Sequence, residues 1–251
     1  MILRTPALPR PLAMRLAATE YERCAELLQS LEPAQWKAGT DCPAWDVRQV
    51  AAHLLGMAEM AASVRENIRQ QRKAGRLARR DGSPFIDALT RLQVEERDGW
   101  TPERITGQFR ARSPKAAAGR RRAPAFLRRR TMAQLNEVNG VQEPWTLGYL
   151  IDTILTRDPW MHRLDITRAA GLQPHLTADH DGVIVADVVA EWAGRHGKDF
   201  ELTLTGPAGG SWRSGTGGSS LTLDAADFCR ATSHRPATVT IDDLLNTEIP
   251  Y

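Results

Sequence analysis

Two histidines and two aspartates are spaced as the ligands of a metal ion would be. The stretch "DPWMHRLD" (158–165) follows the apolar segment "LGYLIDTIL" (147–155). If one helix runs through both, a rotation of about 100° per residue places Asp158, His162 and Asp165 on its apolar face. Asp158 and His162 are four residues apart and therefore lie on adjacent turns. A histidine and a carboxylate at this spacing can bind one side of a divalent ion, whereas an unpaired buried carboxylate is costly.

A third ligand is expected from a second helix. Val50, His53 and Met57 fall on one side of an apolar pattern, so His53 is expected to point inward. With Asp158 and His162 it would give two imidazoles and one carboxylate. Such a set leaves coordination positions open for water or substrate, which is typical of a catalytic site. Asp165, one turn further on, would then orient His162 from outside the ligand set.

The residues alone leave other interpretations open. Asp-Pro is also a common helix start, in which case Asp158 would cap a helix that begins at residue 159 and 146–157 would form a separate helix. His53 could be a hydrogen-bonded core histidine. His162 could simply pair with Asp158 or Asp165.

Apolar periodicity predicts that helices carry these residues. Residues 1–13 are rich in proline and are expected to be irregular, and 113–145 are expected to be mostly irregular because of Pro114, Gly119 and Pro124. Asp46 and Gln49 form the pattern of a capping box at the start of the second helix. The predicted helices cover 14–31, 47–72, 84–98, a segment from after "TPE" (101–103) to about 112, 146–171 and 183–196.

The C-terminal part has a different pattern. Phe200, Leu202 and Leu204 alternate with polar residues and predict a strand, and the glycine clusters at 206–210 and 215–218 indicate turns between successive strands. A short helix is expected over 224–232, capped by Asp224. The chain is therefore expected to comprise a helical domain, 1–172, and a small α/β domain, 178–251.

Composition favours a globular, cytoplasmic protein. No apolar run reaches the roughly 20 residues that span a bilayer, and the first residues contain no apolar core of a secretion signal. The three cysteines, Cys24, Cys42 and Cys229, have no metal-like spacing, so reduced thiols that fill buried space are expected.

The net charge is +3, but two segments are strongly basic. Residues 110–130 contain nine Lys/Arg and no acid, and residues 65–80 contain seven Lys/Arg and one acid. Such segments could bind nucleic acid or another anion, or could be solvated helix faces and an arginine-rich loop. Solvated helix faces and an arginine-rich loop are the favoured interpretation. A site for single-stranded nucleic acid needs several aromatic side chains on which bases can stack, and Phe126 is the one aromatic residue in the longer segment.

The stretches "CPAWDVRQVAAHLLGM" (42–57), "TRDPWMHRLDITRAAG" (156–171) and "GPAGGSWRSGTGGSSLTLDAADFCRATSHRP" (206–236) follow one another along the chain. Together they resemble the mycothiol-dependent maleylpyruvate isomerase family, within the DinB-like metalloprotein superfamily. The resemblance implies a DinB-like four-helix bundle followed by a small α/β domain related to sterol carrier proteins. It also implies mycothiol and a divalent metal, usually zinc, bound by His53, Asp158 and His162.

Two positions depart from the family pattern. The acidic ligand is usually a glutamate, and Asp158 is one methylene shorter and is followed by proline. In "SHRP" His234 replaces the usual glycine. Arg235 would match the functionally important arginine of the family, with Arg230 as the alternative.

The resemblance implies an enzyme that acts on a small molecule through a thiol. A metal-bound thiol has a lowered pKa, and its thiolate could add to an activated double bond for cis–trans isomerisation or carry out S-transfer. Two other functions stay open: a non-enzymatic metal-stabilised module that binds a ligand or partner, and a basic anion or nucleic-acid binder whose affinity falls steeply with salt. The substrate and the oligomeric state are not predicted.

Overall fold

The computed structural model describes residues 2–236 and 243–251. Its helices are α1 (Arg10–Ser30), α2 (Val47–Ala62), α3 (Val64–Asp81), α4 (Phe85–Glu95), α5 (Pro102–Arg122), α6 (Ala125–Arg128), α7 (Leu147–Tyr149), α8 (Leu155–Ala169), α9 (Asp181–His196) and α10 (Ala225–Thr232). Its strands are β1 (Asn136–Val138), β2 (Val141–Glu143), β3 (Phe200–Thr205), β4 (Gly210–Ser214) and β5 (Ser219–Asp224). Short 3₁₀ turns cover Gln35–Lys37 and Asp243–Asn246.

The chain divides into two compact units. The helical unit comprises Ala17–Pro124 and His162–Gln173, and the mixed unit comprises Met1–Leu16, Ala125–Met161 and Pro174–Tyr251. The division passes through α8, which is therefore an element of both units. The predicted domain limits, 1–172 and 178–251, stay a prediction.

The first helix begins earlier than the sequence predicted. Residues 1–13 were expected to be irregular, but α1 starts at Arg10, and the amide of Ala13 donates to the carbonyl of Pro9. Pro11 lies in the first turn, where the amide that proline lacks would have had no partner within the helix.

The long helix predicted over 47–72 is two helices. The capping box at its start is confirmed: the amide of Gln49 donates to the Asp46 carboxylate over 2.8 Å, and the amide of Asp46 donates to the Gln49 side chain over 2.9 Å. Ser63 ends α2 in an extended conformation, and its hydroxyl accepts from the amide of Glu66 at the start of α3. The sequence contains this second start signal, Ser63 followed three residues later by Glu66.

The fifth helix extends to Arg122 instead of ending near residue 112, because its proline and glycine do not end it. Pro114 has no amide hydrogen to donate to the carbonyl four residues earlier in the helix. Because Pro114 is exposed, water can donate to that carbonyl instead. Gly119 lies against α2: a Cβ at this position would be 2.0 Å from the carbonyl oxygen of Ala61. A residue that looked like a helix breaker is therefore a site of close helix packing.

One hydrophobic cluster of the helical unit takes buried side chains from four helices, α1, α2, α5 and α8. Its members include Tyr21 and Leu28, Leu54, Phe109 and Ile166. A second cluster, with Ala74, Leu89 and Leu92, joins α3 to α4. These packed faces fix the position of α2 and α8, the two helices that carry the candidate ligands.

The helix that contains "DPWMHRLD" is continuous through Pro159. A π-helical turn, Leu150–Ile154, leads directly into α8, and Pro159 lies inside α8. The alternative in which a new helix begins at residue 159 is therefore wrong. Asp158 and His162 keep the helical i, i+4 spacing on which the metal prediction depends.

The described part of the mixed unit, which leaves out residues 237–242, contains two small sheets. The hairpin β1–β2 lies in the segment expected to be irregular, 113–145, and so corrects that expectation. In the other sheet the order is β4-β3-β5, with β4 antiparallel and β5 parallel to β3. The strand at Phe200 and the Asp224 cap of α10 are confirmed. Within this unit Trp192 of α9 contacts Phe200 and Phe228 through edge-to-face rings.

In residues 2–236 and 243–251, no helix combines the length and the apolar character needed to cross a bilayer.

Candidate metal centre

Two buried histidines face each other from α2 and α8. The ring centroids of His53 and His162 are 5.2 Å apart, and the rings are nearly perpendicular. His53 is 3% exposed and His162 is 6% exposed. The apolar faces of both helices bring the rings to this point, where two imidazoles can donate to one ion.

A chain of hydrogen bonds fixes which nitrogen of His53 carries the proton. The Glu66 carboxylate accepts from the Gln70 amide nitrogen over 2.9 Å, and the Gln70 oxygen accepts from the Gln93 amide nitrogen over 3.0 Å. The Gln93 oxygen then faces His53 Nδ1 at 2.8 Å. Because a carboxylate can only accept, the chain runs in one direction and Nδ1 of His53 is the donor. Nε2 of His53 is then the nitrogen that can bind a metal.

Gly56 makes room for this arrangement. A Cβ at Gly56 would lie 2.5 Å from the Gln93 side chain, on the turn of α2 after His53. Gln93 is fully buried on α4 among apolar residues, and its amide nitrogen also points at the sulfurs of Met57 and Met60. The glycine thus lets α4 place a polar group directly behind a candidate ligand.

His162 has a carboxylate behind it in the same way. Its Nδ1 lies 3.1 Å from Asp165 Oδ2, and Asp165 is fully buried. A carboxylate that accepts from Nδ1–H leaves Nε2 to face an ion, which is the arrangement found behind many metal-bound histidines. The bidentate pair between Arg163 and Glu20, with nitrogen–oxygen distances of 2.7 and 3.2 Å, anchors the same turn of α8 to α1.

The three predicted ligands form one group. One ligand atom each of His53, Asp158 and His162 lies within 4.8 Å of the others. Asp158 is half-buried, whereas both histidines are buried. Two neutral imidazoles and one carboxylate suit zinc or a similar divalent ion, and three ligands leave a position for a further molecule.

The loop before α2 forms another side of the group. The ring of Trp45 lies 5.4 Å from His53 and 6.5 Å from His162, between centroids. Cys42 is half-buried, and its sulfur lies 3.9 Å from His162 Nδ1 and 3.7 Å from Asp165 Oδ2. The centre is therefore bordered by an indole ring and a thiol that carries no disulfide.

The two arginines singled out in the sequence belong to the mixed unit. Arg230 is buried on α10 and donates to the carbonyl of Pro236 over 2.8 Å. Arg235 is half-buried, and its amide donates to the carbonyl of Arg230. His234, between them, has φ of 56°, the left-handed conformation that glycine adopts most easily. His234 thus occupies a backbone conformation that a glycine would adopt at lower cost.

Sequence reasoning missed Gln93, Cys42 and Trp45 as parts of this centre. Gln93 had a detectable signal, because it is a polar residue on the apolar stripe of α4 beside Leu89 and Leu92. Cys42 had none, since its approach to His162 depends on how the loop packs against α8.

Several cations of the two basic segments have partners within the chain. Arg69 binds Glu66 and Glu96, and Lys73 binds Glu96 over 2.8 Å. In the longer segment, the guanidinium of Arg120 is buried and lies over the ring of Tyr21. These contacts use cations that a nucleic-acid site would need, which supports the interpretation as helix faces.

Comparisons with known proteins give one family and one fold. The family model described as mycothiol maleylpyruvate isomerase N-terminal domain matches residues 17–167. A crystal structure of the mycothiol-dependent maleylpyruvate isomerase is 16% identical, with a TM-score of 0.58 over 97% of this chain and 95% of that chain. A histidine-to-alanine variant of that enzyme is 14% identical, with the same TM-score and coverage. No curated protein matches significantly. The mixed helical and small-sheet architecture is thus the fold of this isomerase.

Proposed function

Because the chain belongs to the mycothiol maleylpyruvate isomerase N-terminal domain family, we propose that it is a metal-dependent enzyme that uses mycothiol or a similar low-molecular-weight thiol. The reaction is a cis–trans isomerisation or an S-transfer on a small molecule. The observation that carries the proposal is the group of His53, Asp158 and His162, whose ligand atoms lie within 4.8 Å of one another.

The donor set fits a divalent ion such as zinc. His53 and His162 each have a partner on Nδ1, Gln93 and Asp165, so each presents Nε2. A bound ion supplies Lewis acidity, which lowers the pKa of a coordinated thiol and yields a thiolate at neutral pH.

Four residues of the chain have further roles in the proposed reaction. Asp158 supplies negative charge to the ion, and the indole of Trp45 keeps one side of the centre apolar. Asp165 holds the orientation and tautomer of His162. For Arg235, with Arg230 as the alternative, we propose a charge-assisted bond to a carboxylate of the thiol or substrate. Arg235 is the better candidate, because Arg230 is buried and bonded to Pro236.

Metal analysis of the purified chain tests the ligand assignment. Wild type is expected to hold about one equivalent of tightly bound zinc, and His162→Ala or His53→Ala is expected to weaken zinc binding at this centre by on the order of 100-fold or more, because each loses a direct ligand. The exposed histidine in His175→Ala serves as the matched control and should leave zinc content unchanged. Equal zinc content in wild type and His162→Ala would refute the assignment.

Calorimetry with mycothiol then tests the thiol. Binding is expected to the zinc-loaded chain and not to the chelator-treated chain. Tight zinc without thiol binding would favour the non-enzymatic module. Arg235→Ala should weaken thiol or substrate binding roughly 10- to 100-fold at unchanged zinc content, since one charge-assisted bond contributes about 1.5–3 kcal/mol. Arg213→Ala, an exposed arginine on β4, is the control, and an equal loss in both variants would contradict a specific role.

A further inference from the structure

Beside the candidate centre, a thiol, an imidazole nitrogen and a carboxylate form a second triangle. The Cys42 sulfur is 3.9 Å from His162 Nδ1 and 3.7 Å from Asp165 Oδ2. His162 Nδ1 and Asp165 Oδ2 are 3.1 Å apart. All three residues belong to the helical unit, and they form a second group with metal-ligating chemistry that shares only His162 with the first.

The dimensions of this triangle match a tetrahedral ion. Bonds of about 2.0 Å to nitrogen and oxygen and about 2.3 Å to sulfur separate pairs of ligand atoms by roughly 3.3–3.6 Å. The three separations in the chain, 3.9, 3.7 and 3.1 Å, lie on either side of this range and differ from it by a few tenths of an ångström. Small side-chain rotations are enough to bring all three atoms to one ion.

We propose that Cys42, His162 and Asp165 form a second cation site, for a thiophilic divalent ion such as zinc or cadmium, for which cobalt serves as a spectroscopic probe. Thiolate is the soft ligand that these ions favour, and the group of His53, Asp158 and His162 contains none. Asp165 and His162 are buried, while Cys42 is half-buried on the loop before α2 and gives the ion its route from solvent.

The two groups use opposite nitrogens of one imidazole. The first takes Nε2 of His162, because Nδ1 faces Asp165. An ion in the second group replaces the Nδ1 proton and the Cys42 thiol proton, and both protons pass to solvent. An ion at this position also replaces the hydrogen bond between Asp165 and His162 Nδ1 that orients His162 in the first group. The second ion therefore binds more weakly than the first when both are present.

The thiol provides a signal that the first group cannot give. Cobalt bound to a thiolate absorbs in the near ultraviolet through sulfur-to-metal charge transfer, whereas cobalt bound by imidazole and carboxylate has only weaker visible bands. The other two cysteines, Cys24 and Cys229, are buried at 1% and 0% exposure. Of the three thiols, Cys42 is thus the one that a cobalt ion can reach in the folded chain.

The test is a cobalt titration of the full chain, followed by absorption spectroscopy. The charge-transfer band is expected in wild type, in His53→Ala and in the thiol control Cys24→Ala, and is expected to be absent from Cys42→Ser. A wild-type chain without the band at saturating cobalt, or a Cys42→Ser chain that keeps it, would overturn the proposal. The presence or absence of the band in wild type tests the proposal even if a variant fails to fold. If the band is present but Cys42→Ser, with a circular dichroism spectrum like that of wild type, binds no cobalt at all, this second site stands and the proposed function fails.

Discussion

At the scale of single residues, the hydrogen-bond partner of a candidate ligand determines which of its atoms can bind a metal. His53 presents Nε2 because Gln93 accepts from Nδ1, and Gln93 is oriented by Gln70 and by the carboxylate of Glu66. The acceptor that orients His53 thus lies on α4. The residues on α3, Gln70 and Glu66, determine the direction in which the hydrogen bonds of the chain run. The candidate ligand on α2 is therefore oriented by residues of two neighbouring helices.

Replacing Gln93 by methionine tests this arrangement. Gln93→Met keeps the side chain's length and removes the acceptor, so Nδ1 of His53 loses the partner that fixes its tautomer. Zinc affinity is expected to fall about 10–100-fold, the usual cost of losing such a partner. Competition with a chromophoric chelator measures it.

The control is Gln71→Met, at an exposed position of α3. It should leave zinc affinity unchanged. An unaltered affinity in Gln93→Met, with His53→Ala losing zinc, would show that the bond from Gln93 does not matter for the ligand.

At the scale of elements, the packing of α5 against α2 depends on one missing side chain. Gly119→Ala would place a Cβ 2.0 Å from the carbonyl oxygen of Ala61, and backbone cannot yield as a flexible side chain can. The variant is expected to lower the free energy of unfolding by about 1–3 kcal/mol, as overpacking typically does. Urea unfolding followed by circular dichroism measures it.

Gly107 provides a matched control in the same helix. It is exposed, and a Cβ there would meet no atom within 4 Å. Gly107→Ala is expected to raise the free energy of unfolding by up to about 1 kcal/mol, from helix propensity alone. If both variants shift stability in the same direction and by the same amount, the close approach of the two helices is not the cause.

These elements show what periodicity can and cannot predict. The repeat of apolar residues identified the faces of α2 and α8, so His53, Asp158 and His162 could be selected together from spacing. Local signals such as the Asp46 cap were also sufficient. The full length of α5 could not be predicted, because Gly119 acts through its contact with Ala61 and not through its own conformation.

The residues around the candidate ligands were harder to predict than the grouping of the candidate ligands themselves. Gln93 and Cys42 come from α4 and from a loop, and both approach the histidines only after the helices have packed. Nothing in the spacing of either residue relates it to position 53 or 162. The hairpin β1–β2 was missed for a related reason: its strands have three residues each, too few to show alternation.

At the scale of the whole molecule, a net charge of +3 conceals many internal ion pairs. The guanidinium of Arg69 beside Glu96 holds the pKa of that carboxyl at about 2. A hydrogen bond from Arg69 also lowers the pKa of Glu66. In the mixed unit, burial raises the pKa of Glu191, but the cations of Arg157 and Arg195 outweigh it and the pKa is lowered. The folded chain therefore binds fewer protons than the unfolded chain in mild acid.

This difference predicts the direction of the pH dependence. A carboxyl whose pKa is lower in the folded state contributes stability above its unfolded pKa, and this contribution is lost as the pH falls toward the folded value. For Glu96 the window runs from about pH 4.5 down to about pH 2. Stability is expected to be highest near neutrality and to fall steadily through this window, measured as the urea midpoint at pH 7, 4.5 and 3.

Glu96→Gln isolates the contribution of this ion-pair cluster. The variant should be less stable than wild type at pH 7 by about 1 kcal/mol, because the pairs with Arg69 and Lys73 are partly exposed and screened. The difference should shrink as the pH approaches 2, where wild type also loses the charge. Glu95→Gln, at the exposed neighbouring position, should stay close to wild type at every pH. A stability difference for Glu96→Gln that does not change between pH 7 and 3 would mean that the carboxylate charge is not what joins the end of α4 to α3.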